Sequence, residues 1–512
     1  MSDAVNVMRA NIGLRLDVRT WSLAAGLFLI GIVSRLPFQS YILHHWDSVN
    51  FALALDHFDV RLDQPHAPGT FVLYIFLGRL FNLFLHDANA SLVWVSILAT
   101  GLAAATIFIL GSAWFGKRVG LVISLLMLSS PLVWFLGEVA LSYLLEFFWV
   151  LLIVLACFKM QSADRRLLFI SALLIGMAGG IRPNTPVFMF PLWAVAVALG
   201  LWRRKYSVRD LAVALCVMAV GVALWAVPMV VMSGGPAAYW QLVQSWQSEH
   251  LADAGSAEGL AVNVTRLVMY VLYAGGAGLV LVAWALVREW RALKDNLRHD
   301  WQSQVIALWV APAAAYYVFV HLRQAGHTFT IMPALFVIAG LATVIVGRRL
   351  ERFGSNVWLV LTVLVVACNS LFFLLGPSSL FGSSRLIFST PTWATIREYD
   401  SLVTSRVSVI RREFRPEETA VLAGSRNFRL PDFYLRDYQA TSLSYRLGDD
   451  VIVLPDRIHT LVLFDDTVLT QLRDGSGFRS LSLPQGGSIR YTTWSNNQQA
   501  RLSLSTFEVE NK

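Results

Sequence analysis

Long apolar stretches recur along most of this chain, and they decide what it can fold into. A helix needs about 20 apolar residues to cross the hydrocarbon core of a bilayer. Stretches close to that length occupy 21–38, 91–113, 119–136, 140–158, 167–181, 185–202, 209–232, 263–287, 304–321, 330–346 and 356–375. Only 14% of the 512 residues are charged, whereas a soluble domain carries roughly a quarter. The pattern predicts an all-α polytopic membrane protein with about eleven transmembrane helices. A further run, 71–86, is shorter and has Arg79 in its middle. It either spans the membrane or lies along the interface as an amphipathic helix.

Charge distribution chooses between those placements. The formal net charge is +8, which by itself would suit a nucleic-acid partner. The basic residues, however, sit in short clusters beside apolar runs: Lys117-Arg118, Arg165-Arg166, Arg203-Arg204-Lys205, Arg288 to Arg298, and Arg348-Arg349. That is the cytoplasmic signature of a polytopic protein, and it excludes nucleic acid as the partner. If 71–86 is interfacial, every cluster falls on the cytoplasmic side; if it spans, the Lys117, Arg165 and Arg203 clusters are exported. The interfacial placement is therefore adopted, with a cytoplasmic N-terminus and an extracytoplasmic C-terminus. Loops 39–90, 137–140, 182–185, 233–262 and 322–329 then share the outer face. The segment Met1 to Arg19 is polar and basic, and no small-residue cleavage site follows it, so the first span is expected to stay attached. Cys157, Cys216 and Cys368 lie in apolar runs without metal-ligand spacing, as packing cysteines do.

After residue 376 the composition changes. Charges of both signs appear, and short strand-like runs such as Ala420-Val421-Leu422-Ala423, Thr460 to Phe464 and Ile489 to Thr492 are bounded by Gly, Pro, Asn and Asp. The expected division is a membrane module over 1–375, with outer loop 1 at 39–90, and a small α/β extracytoplasmic domain over 376–512.

The polar side chains gather in the loop after the first span. It reads His44-His45-Trp46-Asp47-Ser48, runs through Asp56, His57, Asp59, Arg61 and Asp63, and closes on Pro65-His66-Ala67-Pro68-Gly69. Ionisable groups are costly near a membrane and tend to mark function. Asp47 stands close to the outer end of the first span, where a carboxylate can act as general base on a hydroxyl. It can equally cap the helical stretch Val49 to Leu55, with Asp47-Ser48 as its start. The four histidines could bind phosphate or a metal, although dispersed loop histidines are commonly solvated. The Pro65 to Gly69 turn has a plain structural use as a rigid lead into 71–86.

Other outer loops carry complementary charge. Arg182 precedes Pro183 at a span end, and His321-Leu322-Arg323-Gln324 with His327 precedes Met332-Pro333. Positive side chains on the outer face run against the charge bias, and a bound anion accounts for them because arginine matches phosphate oxygens bidentately. A salt bridge to Asp47 or Glu138 would account for them too. Glu138 and Glu146 flank the start of the span at 140–158. Glu146, a turn or two inside, must be neutral, paired with an arginine, or turned to a polar cavity.

These segments, in this order, resemble the GT-C superfamily of polytopic glycosyltransferases that use polyprenyl-phosphate sugars. The early outer-loop Asp, the Pro-His-X-Pro-Gly turn followed by Leu73-Tyr74-Ile75-Phe76-Leu77-Gly78-Arg79-Leu80-Phe81, Trp114-Phe115-Gly116-Lys117, Ser130-Pro131 and Gly176 to Pro183 carry the likeness over roughly the first 200 residues. His327 to Pro333 extends it. Protein mannosyltransferases and lipid A aminoarabinose transferases are among the families it is similar to. The resemblance implies Asp47 as catalytic base, Arg323, His327 and Arg182 around the donor phosphate, and His66, His45 and Asp63 on the acceptor side. The superfamily's second acid aligns with Tyr143 here, so Glu138 or Glu146 is expected to substitute. It further implies inverting transfer, by a hexosyl- or pentosyltransferase, from a polyprenyl-phosphate-linked sugar to an envelope lipid, glycan or protein hydroxyl at a bacterial inner membrane. A divalent cation, Mg or Mn, bridging Asp47 and a phosphate is compatible with this chemistry, although no compact ligand motif demands it.

A secondary transporter or lipid flippase is the principal alternative. Such proteins carry ionisable residues or broken helices near the midplane, often in repeated halves. Here no repeat is visible and the polar groups collect on one side, which favours an enzyme acting at one face. A non-catalytic assembly or sensor protein is a third reading, in which 376–512 would carry the function.

Overall fold

The computed structural model describes residues 17–511, apart from 163, 252–254, 377–390, 425–426, 428, 443–450, 466–467, 470–471, 473–476 and 504–505. Residues 1–16, and with them most of the basic N-terminal segment, lie outside the described residues, as does the start of the segment expected to open the C-terminal domain. In chain order the first nine helices are α1 Val18–Val33, α2 Trp46–Asp56, α3 Val72–Leu85, α4 Ala88–Phe115, α5 Lys117–Ser129, α6 Pro131–Leu136, α7 Tyr143–Lys159, α8 Arg165–Ala178 and α9 Asn184–Trp202. They are followed by α10 Val208–Met232, α11 Pro236–His250, α12 Ala257–Gly275, α13 Gly278–His299, α14 Trp301–Phe319, α15 Met332–Arg349, α16 Val357–Leu375, α17 Trp393–Glu413 and α18 Leu430–Tyr434. Two compact units emerge. One joins Met1–Gln39 to Phe58–Thr395, and the other joins Ser40–His57 to Ile396–Lys512.

The first unit is helical. Among the described residues six helices, α1, α4, α9, α10, α15 and α16, are long and apolar enough to cross a membrane, and α12 with α13 makes a seventh if they form one span. The other expected spans are helical but shorter, interrupted or, in α14, less apolar. The run at 119–136 breaks at Ser130, where Pro131 takes the first position of α6, as the missing proline N–H favours. The run at 263–287 is corrected from one straight span to a pair bent by 106°. Gly276 makes the break at φ +50°, and a Cβ there would lie 2.2 Å from Asn369 Oδ1. The freed backbone groups find partners: Ala277 N donates to Asn369 Oδ1 (2.9 Å) and Ser130 Oγ donates to Ala274 O (2.7 Å). Hydrocarbon would leave such groups unsatisfied, so an irregular backbone needs them.

The membrane-length stretches of α4 and α10 are both strongly apolar, as suits a helix in protein or lipid, yet 72% of the first is buried in protein against 11% of the second, so packing and not composition makes α4 central. Helix α1 packs on α4, and α4 on α5 and α7. Gly31 and Gly101 let α1 and α4 touch backbone to backbone; a Cβ on Gly31 would come within 2.7 Å of Gly101 Cα. Close approach of this kind is how helices associate where lipid removes a hydrophobic driving force. Helix α3 has 14 residues, about 21 Å at 1.5 Å per residue, and exposes Phe76, Leu80, Leu83 and Phe84.

Basic clusters gather at one end of this unit. Lys117 Nζ pairs with Asp17 at 2.7 Å, Arg118 lies over Trp358, and Gly347, beside Arg348-Arg349, packs on that same Trp358. Trp114 packs on Phe158, and Arg203 Nη1 donates to Gln161 Oε1 at 2.8 Å.

The second unit is mixed α/β. Its larger sheet has the order β2-β1-β4-β6-β5, with β1 (Thr419–Ala423) parallel to β2 (Gln439–Ser442) and β4 (Thr460–Leu463). Strand β6 (Ser488–Thr493) runs antiparallel to both β4 and β5 (Arg479–Ser482). All five residues of β1 are buried, the continuous apolar pattern of a central parallel strand. A second sheet, β3 (Ile452–Val453), β7 (Gln498–Leu502) and β8 (Phe507–Asn511), is antiparallel.

Candidate functional site

The polar side chains of the membrane unit converge on Glu146. It lies in the first turn of α7, 2% exposed, an end of the helix where the backbone dipole favours a carboxylate. Three elements meet it. Thr185 Oγ1 of α9 donates to Glu146 Oε1 at 2.6 Å, Thr330 Oγ1 donates to the same oxygen at 2.9 Å, and Arg182 Nε stands 3.3 Å from Oε2. Of the three states open to Glu146 from sequence, pairing with an arginine is the one observed. A buried carboxylate is tolerable when charge and hydrogen bonds both meet it.

Tyr143 is the hub of the same cluster. The Arg182 guanidinium lies 4.7 Å from its ring centre, its hydroxyl donates to Gln324 Oε1, and its ring is 6.2 Å from that of His327. Tyr317 donates to the His327 carbonyl and stands 3.1 Å from Thr330 Oγ1. A Cβ on Gly326 would strike the Tyr143 ring at 2.3 Å, so glycine lets the 325–330 turn close over it. Arg182, Glu146 and His327 are thus brought together. Arg323 is exposed beside them, its carbonyl accepting from Tyr270 OH at 2.9 Å.

Glu138 sits apart from that cluster, fully buried in the link between α6 and α7. Its charge acts on Arg35, which follows α1, lies over the Trp134 ring at 4.6 Å and donates to Leu128 O at 2.7 Å. The His66 turn follows a small closed loop in which Asp59 and Gln64 exchange backbone hydrogen bonds. Asp63 takes the left-handed conformation there at φ +55°, which Asp tolerates better than most residues. His66 Nδ1 is 2.7 Å from Ala67 O, and its ring packs on Phe71. Further along, Leu73 N donates to Gly180 O at 2.8 Å, tying the start of α3 to the segment that leads into Arg182. Asp59 holds Arg61 by a bidentate pair, with a closest approach of 2.6 Å, so that aspartate has a structural use.

Asp47 belongs to the second unit. It occupies the first turn of α2 and is 6% exposed. The capping alternative is corrected: the N-cap is His45, whose Nδ1 accepts from Asp47 N at 3.1 Å. An unprotonated imidazole nitrogen can fill the place usually taken by Ser, Thr, Asp or Asn. The Asp47 carboxylate is thereby left out of capping, with Oδ2 3.3 Å from His45 Nδ1. His44 packs on Tyr399 at 4.5 Å between ring centres, and burial, reinforced by neighbouring His45, pushes its pKa down to about 4. His57 is exposed at the end of α2. Among the described residues no three His, Cys, Asp or Glu side chains converge as metal ligands.

Several contributors carried no local signal. Thr185, Thr330 and Tyr317 are ordinary residues of apolar segments until the fold brings them to Glu146. Arg35 could have been noticed, as a lone charge closing the first apolar run.

By sequence, no protein-family model and no curated protein matches the chain. By structure, it is similar to ArnT from Cupriavidus metallidurans bound to undecaprenyl phosphate, with a TM-score of 0.57 at 15% identity, covering 94% of this chain and 98% of that one. The apo state of ArnT gives a TM-score of 0.57 at 14% identity, over 93% and 97%. The likeness in fold extends beyond the first 200 or so residues to nearly the whole chain: a mostly helical, ArnT-like fold with a small strand-containing C-terminal part.

Proposed function

We propose that the protein is a membrane glycosyltransferase that moves a sugar from a polyprenyl-phosphate donor to an acceptor hydroxyl at the extracytoplasmic face. The observation that carries this is a fold shared end to end with a protein that binds undecaprenyl phosphate. In the proposed reaction Asp47 removes the acceptor proton, the acceptor oxygen attacks the anomeric carbon with inversion, and the C–O bond to the lipid phosphate breaks with its electron pair leaving on phosphate. Arg323, His327 and Arg182 favour the charge that develops there. His66, His45 and Asp63 face the acceptor in this scheme, and no nucleotide is needed.

The gathering of Lys117, Arg118 and the Arg203 and Arg348 clusters at one end supports a cytoplasmic N-terminus in a bacterial inner membrane. Arg182, Arg323 and His327 follow the opposite ends of their helices, which supports chemistry on the exported side. A hexosyl or pentosyl donor, and a lipid, glycan or protein acceptor, are equally compatible with these groups. The broken helix at Gly276 is the one feature that favours a transporter or flippase. Its freed backbone groups are taken by Ser130 and Asn369, which makes it a fixed corner and keeps the enzyme reading first.

The test is reconstitution in liposomes with undecaprenyl-phosphate sugars and envelope extracts as acceptors, read by mass spectrometry. The expected result is an added glycosyl mass that disappears in Asp47→Asn. Near-normal transfer by that variant removes the base assignment.

A further inference from the structure

The helix that carries Asp47 is secured by the C-terminal part of the chain. Asp400, on α17 and 5% exposed, accepts from Ser40 Oγ at 2.6 Å and from Tyr41 N at 3.0 Å. The Tyr434 hydroxyl, on α18, accepts from Leu43 N at 2.9 Å. Arg429 Nε donates to Asn50 Oδ1 at 2.8 Å, and Arg429 Nη1 donates to Asp432 Oδ2 at 3.0 Å. Arg429 and Asn50 are 4% and 1% exposed, so their bond is sealed from water. Asn50 is three residues beyond Asp47, hence on the same side of α2 one turn later. Asp47 is therefore held from both directions along the chain, through residues 40–43 before it and Asn50 after it.

The origin of this clamp in the sheet matters. Strand β1 is parallel to its neighbours β2 and β4, and the chain leaves its carboxyl end toward Arg429 and α18. Asp465, just after β4, ties that end by accepting from Gly424 N at 3.0 Å and from Asn427 Nδ2 at 3.3 Å. In open α/β sheets the carboxyl ends of the parallel strands are where ligands bind. Here that edge leads directly into α18, which packs on α2.

We infer that Arg429, with Asp400 and Tyr434 in support, is a positioning residue for Asp47, and that the C-terminal α/β domain serves the reaction by fixing the base. This rests on the reading of Asp47 as general base. Buried hydrogen bonds to a charged donor hold geometry more strongly than neutral ones, and small displacements of a catalytic group are costly to rate.

The test uses the full-length protein in nanodiscs, with Arg429→Ala and Arg429→Lys made alone and with Asp47→Asn. Hydrogen exchange is followed over 46–56, β1 and β4, and turnover is measured with an undecaprenyl-phosphate sugar. Arg429→Ala is expected to speed exchange in 46–56 while β1 and β4 stay protected. It should lower kcat about tenfold or more, with donor KM within about twofold. In the Asp47→Asn background the same substitution should add no further loss, as for residues that act as one unit. Arg429→Lys should recover part of the rate. Unchanged exchange over 46–56, an equal loss in both backgrounds, or a raised KM in place of a lowered kcat would overturn the inference. If β1 and β4 also lose protection, Asn50→Ala removes the same bond from the helix side and is judged by the same criteria. Full turnover by Asp47→Asn, with exchange over 46–56 still governed by Arg429, would remove the base assignment and uphold the clamp.

Discussion

Two buried carboxylates, Glu146 and Asp47, are handled in opposite ways. Both occupy the first turn of a helix, and both are nearly inaccessible to solvent. Glu146 is gripped from three elements, by Thr185, Thr330 and Arg182, and so joins α7, α8's exit, α9 and the 325–330 turn. Asp47 is presented differently. Its backbone N–H is taken by His45, and Asp400, Tyr434 and Arg429 hold Ser40, Tyr41, Leu43 and Asn50 on either side of it. A carboxylate tied to partners on three elements is an anchor. One whose scaffold is fixed by other groups is suited to exchange a proton.

That contrast makes graded predictions. The largest effect is expected for Asp47→Asn, where loss of the proposed general base should cost about 10²–10⁴-fold in turnover, with a thermal midpoint close to wild type. Near-equal effects of Asp47→Asn on rate and on stability would break the contrast. Next comes Glu146→Ala, which leaves the largely buried Arg182 beside two threonines without its carboxylate. Breaking a buried pair in this way costs about 3–5 kcal/mol, read as a lowered unfolding midpoint in detergent, while Glu146→Gln keeps the threonine bonds and should lose less. Glu146→Ala with wild-type stability would mean that the cluster is not an anchor.

A smaller effect concerns pH. His44 has its pKa held at about 4 in the folded protein against 6.5 when unfolded. The unfolded chain therefore binds more protons between those values, and stability, complete above pH 6.5, falls as pH drops toward 4. The facing groups are Tyr399 and His45. Exchange over 46–56 should quicken across that window, and His44→Phe should flatten the response; an unaltered pH profile in the variant would dismiss it. The smallest effect is expected for Arg436→Ala. Its pair with Asp56 at the far end of α2 is about half exposed on both sides, and such surface pairs contribute about 0–1 kcal/mol. A large rate loss there would show that the whole of α2, rather than its Asn50 side, positions Asp47.

Much of the fold was legible in the sequence because bilayer insertion reads a local property, the length and apolarity of each run. The runs at 91–113, 209–232 and 356–375 became α4, α10 and α16 within a few residues. The strands foreseen at 420–423, 460–464 and 489–492 became β1, β4 and β6. Less legible was the corner at Gly276. A stretch that is apolar throughout gives no sign that Asn369, 92 residues away, will accept from the freed Ala277 N–H. The helix cap was also misplaced, because an imidazole seldom performs that role and Asp47-Ser48 offered the usual chemistry.

The site divides along the same line. By itself the sequence determined a polytopic membrane chain with a small strand-containing C-terminal part, and it singled out a few candidates for chemistry: Asp47, Arg182, Arg323, His327 and the two glutamates. Each of those follows from composition within a short window. Only the tertiary structure decided their partners. Arg182 turned to Glu146. Ser40 and Asn50 found Asp400 and Arg429 across 360 and 379 residues of chain. The physical reason is that burial makes an unpaired charge costly, and which group satisfies it is set by packing across the whole molecule, a property no local window contains.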